Sequence, residues 1–167
     1  MDTIQKHINQ QLAAILEQIA DPEIPVLSIM DLGVVHSAVF INTNVAKIQI
    51  MPTYSGCPAM DVISDDIHKA LEKEGIEAHV ELVLAPAWST DMITAKGKSA
   101  LENYGIAPPL DPIADKDVLL GNKKGLKCPQ CGSINTSLVS QFGSTACKAL
   151  FSCKDCLEPF DYFKCLK

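Results

Sequence analysis

The chain has 167 residues, of which 47% are hydrophobic, so it can bury a core as one domain or as a domain with a small appendage. It contains no run of about 18 apolar residues for a membrane helix, and its first residues lack the basic-then-apolar plan of a signal peptide. We therefore expect a cytoplasmic protein with no membrane partner. The formal net charge is −6, and all 14 basic residues are lysines. Because the guanidinium fork that reads guanine edges and phosphates is absent, nucleic acid is not an expected ligand.

Charge and cysteine are unevenly distributed along the chain. Residues 1–120 carry 7 lysines against 17 acidic residues, whereas residues 121–167 carry 7 against 3. The basic end is typical of a solvated surface. In a reducing compartment, the seven cysteines are expected to be metal ligands or reactive thiols rather than disulfides.

The first half of the chain alternates between helical and strand patterns. Apolar residues at helical spacing predict a first helix that ends before Pro22, and an acidic loop follows it. Residues 34–41 and 45–51 are rich in β-formers and flank a short polar turn, which predicts a hairpin. The stripe of the first helix consists of Ile4, Ile8, Leu12, Ile15, Leu16 and Ile19.

Cys57 is the main candidate for chemistry, because it stands between the second strand and a predicted helix that ends at Gly75. Pro58 suits the first helical position, which makes Cys57 the expected N-cap. Backbone N–H groups and the helix dipole at that point would favour the thiolate and lower the pKa of the thiol. The alternative is a small, half-buried cysteine that fills the corner between strand and helix.

The next elements return to the same edge of the predicted sheet. Residues 77–84 alternate as a strand with one wet face, and a third helix is expected from Ser89 to Tyr104. Trp88 lies at the corner between them, where it would either cover the Cys57 thiol or fill the core. Residues 107–127 contain several prolines and are expected to be a linker of low order. The four histidines are expected at the surface, and without a Glu-x-x-His pair we do not expect the chain to be a di-iron oxygenase itself.

Two Cys-x-x-Cys pairs, separated by 21 residues, give the strongest motif in the chain. The pairs are Cys128 with Cys131 and Cys153 with Cys156, and two such knuckles provide tetrahedral sulfur coordination. Residues 134–142 and 148–152 are predicted strands between the knuckles, so residues 128–167 are expected to form a zinc-ribbon-like module that needs its metal to fold.

Four sulfur ligands do not by themselves determine which metal is bound. Soft thiolates suit both structural zinc, which we favour, and an iron–sulfur cluster. Cys147 and Cys165 are either packing residues or substitute ligands. Aromatic residues crowd the module and indicate either a partner surface or the module's own core; they are Phe142, Phe151, Phe160, Tyr162 and Phe163.

The order of these motifs resembles a known family. Asp21-Pro22-Glu23-Ile24-Pro25, Asp31-Leu32-Gly33, Ser55-Gly56-Cys57-Pro58 and Pro86 to Met92 make residues 1–106 similar to the small metal–sulfur cluster assembly domains. With Phe142 to Leu150 and Glu158 to Cys165, the whole chain resembles the D proteins of bacterial phenylacetyl-CoA 1,2-epoxidase systems.

The resemblance implies an α+β fold, with a small αββαβα domain around a three-stranded sheet before the ribbon module. It places Cys57 at the family's reactive cysteine, and Asp21, Glu23 and Asp31 at its acidic loop positions. The oxygenase and reductase subunits of the epoxidase are the implied partners, in aerobic phenylacetate catabolism.

Three functions are consistent with the sequence. The first is an accessory or maturation factor that loads iron or an iron–sulfur cluster, held transiently, through Cys57. The second is a structural zinc-ribbon adaptor without thiol chemistry. The third is a thiol-dependent catalyst with Cys57 as the nucleophile, for which no neighbouring histidine base is evident in the sequence.

Overall fold

The structure is a computed structural model that describes residues 7–122 and 125–164. Within those residues, the α+β chain divides into two compact units: residues 7–88 and 92–94 form the first, and residues 89–91, 95–122 and 125–164 form the second. No helix among the described residues has the length and apolar character needed to cross a membrane. The α+β class expected from the sequence is confirmed.

The first unit is a three-stranded sheet with two helices. β1 and β2 form the predicted antiparallel hairpin, and β3 returns parallel to β2 after a crossover through α2. The strand order is β1-β2-β3. The elements are α1 (Gln10–Leu16), β1 (Val35–Asn42), β2 (Val45–Ile50), α2 (Ala59–Lys73) and β3 (Glu77–Leu82).

The core of this unit follows from two periodicities. Alternate residues of β2 are fully buried, and α2 buries residues four apart in sequence, so one face of the sheet meets one stripe of the helix. α1 contributes Leu12 and Leu16, both at 0% exposure. Each of these large side chains contributes about 1.5–3 kcal/mol by leaving water.

Two helices differ from their predicted bounds. α1 begins only at Gln10, because the side chain of Asn9 accepts hydrogen bonds from the N–H groups of Gln11 and Leu12 and caps the helix there. Ile19 lies beyond its end, and Ile4 lies outside the described residues. The third helix, predicted from Ser89, begins at Ala95, and a single 3-10 turn (Thr90–Met92) precedes it.

The second unit contains a four-stranded sheet in the order β4-β7-β6-β5. β4 pairs with β7 in parallel, and the other two pairings are antiparallel. Of these elements, β4, α4 and β7 were not expected from the sequence. The elements are α3 (Ala95–Tyr104), β4 (Ile106–Ala107), α4 (Pro112–Leu119), β5 (Thr136–Ser140), β6 (Lys148–Cys153) and β7 (Pro159–Phe163).

Residues 107–127 differ from the expected linker of low order. Asp111 caps α4 by accepting hydrogen bonds from the N–H groups of Ile113 and Ala114, each at 3.1 Å. The buried Tyr162 hydroxyl donates to Asp115 at 2.6 Å and accepts from the Leu110 N–H at 3.2 Å. These bonds and the pairing of β4 with β7 make the segment part of the ribbon unit.

A tight contact fixes the loop before β1. Gly33 has φ +78°, and a Cβ added there would lie 2.4 Å from the carbonyl oxygen of Met92. Around it, the carbonyl oxygen of Leu32 accepts a hydrogen bond from the Trp88 indole at 3.0 Å, and that of Asp31 accepts one from the Thr94 N–H at 2.9 Å. The Asp31-Leu32-Gly33 motif is therefore where the later part of the first unit attaches to the earlier part.

Gly33→Ala is expected to lower the free energy of unfolding by about 3 kcal/mol, since it adds a backbone clash to the cost of a left-handed alanine. Gly75→Ala is the matched control, because Gly75 has φ +72° and nothing within 4 Å of an added Cβ. It should cost only the backbone part, about 1 kcal/mol. Urea unfolding of both variants measures the difference, and equal losses would contradict the close approach at Gly33.

Candidate functional site

Cys57 lies at the corner between β2 and α2 and is 9% exposed. Its N–H donates to the Tyr54 carbonyl at 3.3 Å, and its carbonyl accepts from the Met60 N–H at 3.4 Å. Pro58 occupies the N-cap, where the sequence had suggested Cys57, and no side chain caps the helix. The thiol nevertheless faces the first turn of α2, because the Ala59 N–H hydrogen-bonds to it.

The pKa of Cys57 is raised, which overturns the lowered pKa expected from a helix N-terminus. Burial is the largest cause, and the negative charges of Glu23 and Asp21 add to it. Hydrogen bonds from the Ala59 N–H and the Tyr54 side chain act in the opposite direction but do not compensate. At neutral pH the resting group is therefore a neutral thiol.

The two acidic residues near Cys57 play different structural parts. Asp21 is 5% exposed, and its Oδ1 accepts hydrogen bonds from the N–H groups of Glu23 at 2.9 Å and Ile24 at 2.8 Å. It therefore holds the turn that carries Glu23 as well as placing a charge near the sulfur. Glu23 is half-buried and contributes the larger of the two electrostatic effects on the thiol.

Asp31 is held by a different set of partners. Its carboxylate accepts hydrogen bonds from the Ser28 hydroxyl at 3.1 Å and the Thr94 hydroxyl at 2.8 Å. Trp88 is 6% exposed and donates to Leu32, as expected for a tryptophan that fills the core. Through these contacts, both residues help to hold the Asp31-Leu32-Gly33 loop against the later part of the first unit.

The four knuckle cysteines converge in the second unit. Their sulfur atoms all lie within 4.8 Å of one another, with Cys128 to Cys156 at 3.7 Å and Cys131 to Cys153 at 3.5 Å. Metal–sulfur bonds of about 2.3 Å in a tetrahedron place sulfurs about 3.8 Å apart, so the donor set fits a tetrahedral metal ion. Across residues 7–122 and 125–164, three or more potential ligands converge only here.

Backbone amides and neighbouring sulfurs shift the pKa values of Cys153 and Cys156 in opposite directions. The pKa of Cys153 is lowered to about 7, because the N–H groups of Cys156 and Asp155 bond to its sulfur and outweigh burial. For Cys156, the Glu158 N–H lowers the pKa, but burial and the hydrogen bonds with the other sulfurs raise it to about 12. Such closely spaced thiols resist joint ionisation until a cation compensates their charge.

A hydrogen-bonded clamp joins the two knuckles. Asp155, from the second knuckle, accepts hydrogen bonds from the Ser133 hydroxyl and from the Asn135 amide at 2.9 Å. The Cys128 N–H donates to the Ser133 carbonyl at 2.8 Å, and the Lys154 N–H donates to the Asn135 carbonyl at 2.9 Å. The clamp was not predicted, although an aspartate inside one Cys-x-x-Cys turn and a serine after the other were its signals in the sequence.

The residue after each knuckle adopts a left-handed backbone. Gly132 has φ +77°, which suits a glycine, whereas Leu157 holds the equivalent position with φ +64°. A side chain in this region costs about 1–2 kcal/mol. The second knuckle is therefore less relaxed than the first.

Cys147 does not belong to the four-sulfur cluster. It immediately precedes β6, whereas Cys153 ends that strand, and six strand residues span about 20 Å. Its sulfur lies 3.0 Å from the Thr145 hydroxyl. The packing alternative therefore holds for Cys147, and Cys165 lies outside the described residues.

Most of the ribbon's aromatic residues form its core. Phe151, Phe160, Tyr162 and Phe163 are at most 4% exposed, and Phe151 contacts both Phe160 and Tyr162. Only Phe142 is exposed among the five, and the Lys164 ammonium lies 4.1 Å from its ring centroid. The broad aromatic partner surface considered from the sequence is therefore reduced to a single ring.

Both units match family profiles of known proteins. A family profile described as an iron–sulfur cluster assembly protein matches residues 9–84, and one described as a PaaD zinc beta ribbon domain matches residues 112–164. A crystal structure of the domain of unknown function DUF59 from Bacillus anthracis superposes with a TM-score of 0.51 and 33% identity, covering 55% of this chain and 88% of that one.

Two curated relatives extend the comparison. A candidate D protein of the 1,2-phenylacetyl-CoA epoxidase from Escherichia coli (strain K12) is 44% identical over 93% of this chain and 92% of its own length. The Fe-S protein maturation auxiliary factor YitW from Bacillus subtilis (strain 168) is 30% identical over 59% of this chain and 97% of its own length. Both resemblances suggested by the sequence motifs are thereby confirmed, and the chain belongs to the family of the 1,2-phenylacetyl-CoA epoxidase D proteins, with an iron–sulfur cluster assembly domain followed by a zinc beta ribbon.

Proposed function

We propose that the protein is a cytoplasmic accessory factor of a phenylacetyl-CoA 1,2-epoxidase system and assists the loading of iron or an iron–sulfur cluster through Cys57. The observation that carries the proposal is the placement of one thiol beside two carboxylates, Asp21 and Glu23, at a single corner of an acidic unit. The two carboxylates act on the sulfur through their charge and would attract a divalent iron ion to it, although within the described residues the three groups do not converge to ligand distance. The likeness to Fe-S maturation auxiliary factors supports the same function.

The raised thiol pKa favours transient cation binding over nucleophilic catalysis. A cysteine nucleophile reacts as the thiolate, so a raised pKa leaves little of the reactive form at rest, whereas a ligand thiol can lose its proton as the cation binds. The carboxylates that raise the pKa of Cys57 are the same groups that attract a cation. In this proposal, iron is cargo that the corner holds briefly and passes to the epoxidase's oxygenase or reductase subunits.

The ribbon is proposed to hold one structural zinc ion through Cys128, Cys131, Cys153 and Cys156. The ion would supply the positive charge that lets the four sulfurs remain together as thiolates. The clamp made by Asp155, Ser133 and Asn135 would hold the two knuckles in register around it. In this role the metal adds to the small core of the module, to which Cys128 and Cys153 themselves belong.

A second candidate is an adaptor subunit without thiol chemistry. The low exposure of Cys57, at 9%, favours it, because a sealed sulfur would not exchange a metal. In that case the ribbon would serve to hold the oxygenase and reductase subunits together. The two candidates differ in what loss of the sulfur does to the partners' metal content.

Replacing Cys57 with serine separates the accessory factor from the adaptor. Each variant is produced together with the oxygenase and reductase subunits, and their iron and acid-labile sulfide are then measured. We expect Cys57→Ser to lower this metal content about tenfold while the ribbon stays metallated. Cys147→Ser, with its unfolding checked by circular dichroism, is the matched thiol control and should leave loading unchanged. Full loading with Cys57→Ser and an intact complex would favour the adaptor.

The charge of Glu23 gives a second test. Because Glu23 raises the pKa of Cys57, Glu23→Gln should shift the pH profile of iodoacetamide alkylation at Cys57 to lower pH. The same variant should weaken iron(II) binding about tenfold, since a negative charge near the sulfur is lost. Mass spectrometry of the alkylated peptide and anaerobic iron titration measure the two effects. Tighter iron binding or an unmoved alkylation profile would contradict the assigned corner.

The thiol also makes stability depend on pH. The folded chain holds the Cys57 proton more tightly than the unfolded chain does. The contribution of Cys57 to the free energy of unfolding is therefore fully present below the unfolded pKa of 9.0 and is lost as the pH rises above it. Unfolding by urea at a series of pH values on both sides of 9.0 measures this loss. Cys57→Ser should remove the part of this pH dependence that is due to the thiol. An unchanged slope of stability against pH in that variant would contradict the raised pKa of Cys57.

The structural metal predicts a stoichiometry. The whole chain should bind about one zinc ion, and Cys128→Ala should abolish that binding and the ordered spectrum of β5, β6 and β7. Cys147→Ala should retain the ion. Metal analysis together with amide NMR measures both. Retention of the ribbon's spectrum after complete chelation would show that its packing alone is sufficient.

A further inference from the structure

Three of the sheet edges in the described residues are protected. At β1, the Ala38 N–H donates to the His7 carbonyl at 3.0 Å and the Ala38 carbonyl accepts from the Asn9 N–H at 2.8 Å, so the N-terminal segment covers that edge. β5 carries a register shift between Leu138 and Ser140, and β4 has only two residues. Coverage, bulges and short strands are the usual ways to prevent an edge from pairing.

Among the residues that the structure describes, the outer edge of β3 has none of these protections. Its six residues pair with β2 in an unbroken parallel register from Val45 with Glu77 to Ile50 with Leu82. Within the described part of the first unit, β3 is the last strand of its sheet. A straight edge of this length presents backbone groups that another strand can pair with.

The hydrogen-bond pattern identifies the outward groups. The Glu77 N–H donates to the Asn44 carbonyl and the Val83 N–H donates to the Ile50 carbonyl, each at 2.8 Å. In a parallel ladder, alternate residues of a strand bond to the same neighbour. The N–H and C=O groups of Ala78, Val80 and Leu82 therefore point away from β2.

The open face of the sheet carries two carboxylates at this edge, Glu77 and Glu81. The Ser37 hydroxyl donates to Gln49 at 2.7 Å, and the Gln49 amide donates to Glu81 at 2.8 Å, so a polar ladder crosses all three strands. Lys47 also lies 2.9 Å from Glu81, whereas Glu77 at the start of β3 lies 3.4 Å from the His79 ring. A cationic side chain on an added strand would continue this ladder.

The other face of the edge is apolar. Val80 is half-buried on the core side of the strand, while Leu82 and Leu84 are 53% and 67% exposed. An added strand would cover these leucines with its own apolar side chains. A second copy of β3 suits the edge poorly, because it would bring its own Glu77 and Glu81 onto the face that already holds both carboxylates.

We propose that the outer edge of β3 (Glu77–Leu82) binds an extended segment of a partner protein as a fourth strand. The segment carries lysine or arginine on the face of Glu77 and Glu81, and apolar residues on the face of Leu82 and Leu84. The backbone groups of Ala78, Val80 and Leu82 supply affinity, and the two faces supply specificity. This interaction goes beyond the proposed function and does not depend on the thiol of Cys57.

The probe is a blocked synthetic peptide of alternating lysine and valine, titrated into the full zinc-loaded chain labelled with nitrogen-15. We expect saturable binding and, at saturation, amide exchange at Ala78, Val80 and Leu82 that is slowed about tenfold or more. The Ala38 amide, at the covered edge, should not change. A glutamate–valine peptide of the same length should not bind.

Variants of the protein test the same edge. Leu82→Lys places a charge on the apolar face and should weaken binding of the lysine–valine peptide about tenfold. Ile41→Lys is the matched control, because Ile41 is 59% exposed on β1, and it should leave the affinity unchanged. Val80→Pro removes an outward N–H that is not bonded to β2 and should also abolish binding, and circular dichroism of the variant checks that the unit stays folded.

Several results would overturn the proposal. They are no binding at about 1 mM peptide, equal binding of the glutamate–valine peptide, and binding that leaves the three amides unprotected. Protection of these amides without peptide, rising with protein concentration, would identify a second copy as the occupant instead.

Discussion

Four sulfur atoms within 4.8 Å of one another are the constraint on which the ribbon unit depends. Thiolates so close repel one another, and thiols so close lose most of the hydrogen bonding that water would give them. The fold meets this constraint by directing backbone N–H groups at the sulfurs and by tying the two knuckles together through Asp155. Cys153, at the end of β6, joins this cluster to the sheet of β4, β7, β6 and β5, and the four sulfurs fit a metal ion.

The two sulfur environments of the protein differ in what surrounds the sulfur. At the knuckles, backbone N–H groups bond to Cys131, Cys153 and Cys156; the pKa of Cys153 falls to about 7, whereas burial and neighbouring sulfurs raise the pKa of Cys131 and of Cys156. At Cys57, a single amide and the Tyr54 side chain act against burial and two carboxylates, and the pKa rises. The first arrangement suits a metal that stays bound. The second suits a cation that comes and goes, because the resting thiol is neutral and the negative charge resides on its neighbours.

The sequence predicted those features whose causes are local. The β1–β2 hairpin follows from β-rich residues around a polar turn, and the meeting of four cysteines follows from the spacing of two knuckles. The pKa of Cys57 could not be predicted in the same way, because it depends on burial and on Asp21 and Glu23, which lie far earlier in the chain. A helix N-terminus was visible in the sequence, but the desolvation that outweighs it was not.

The ribbon's extra elements were missed for a related reason. The prolines around α4 indicated a linker, although Asp111-Pro112 is also a good helix start. What decides the outcome is the distant Tyr162, whose hydroxyl joins Asp115 on α4 to the Leu110 backbone. Likewise, the motif that makes Asp31 a candidate site residue did not reveal its hydrogen bonds with Ser28 and Thr94.

The attachment at Gly33 also decides where the chain can be divided. Residues 92–94 belong to the first unit although residues 89–91 belong to the second, so the boundary in space does not coincide with one peptide bond. A gene fragment that stops at Trp88 would omit the Met92 and Thr94 contacts of the Asp31-Leu32-Gly33 loop. An isolated first unit therefore has to extend through Thr94, well beyond Leu82, where the last strand of its sheet ends.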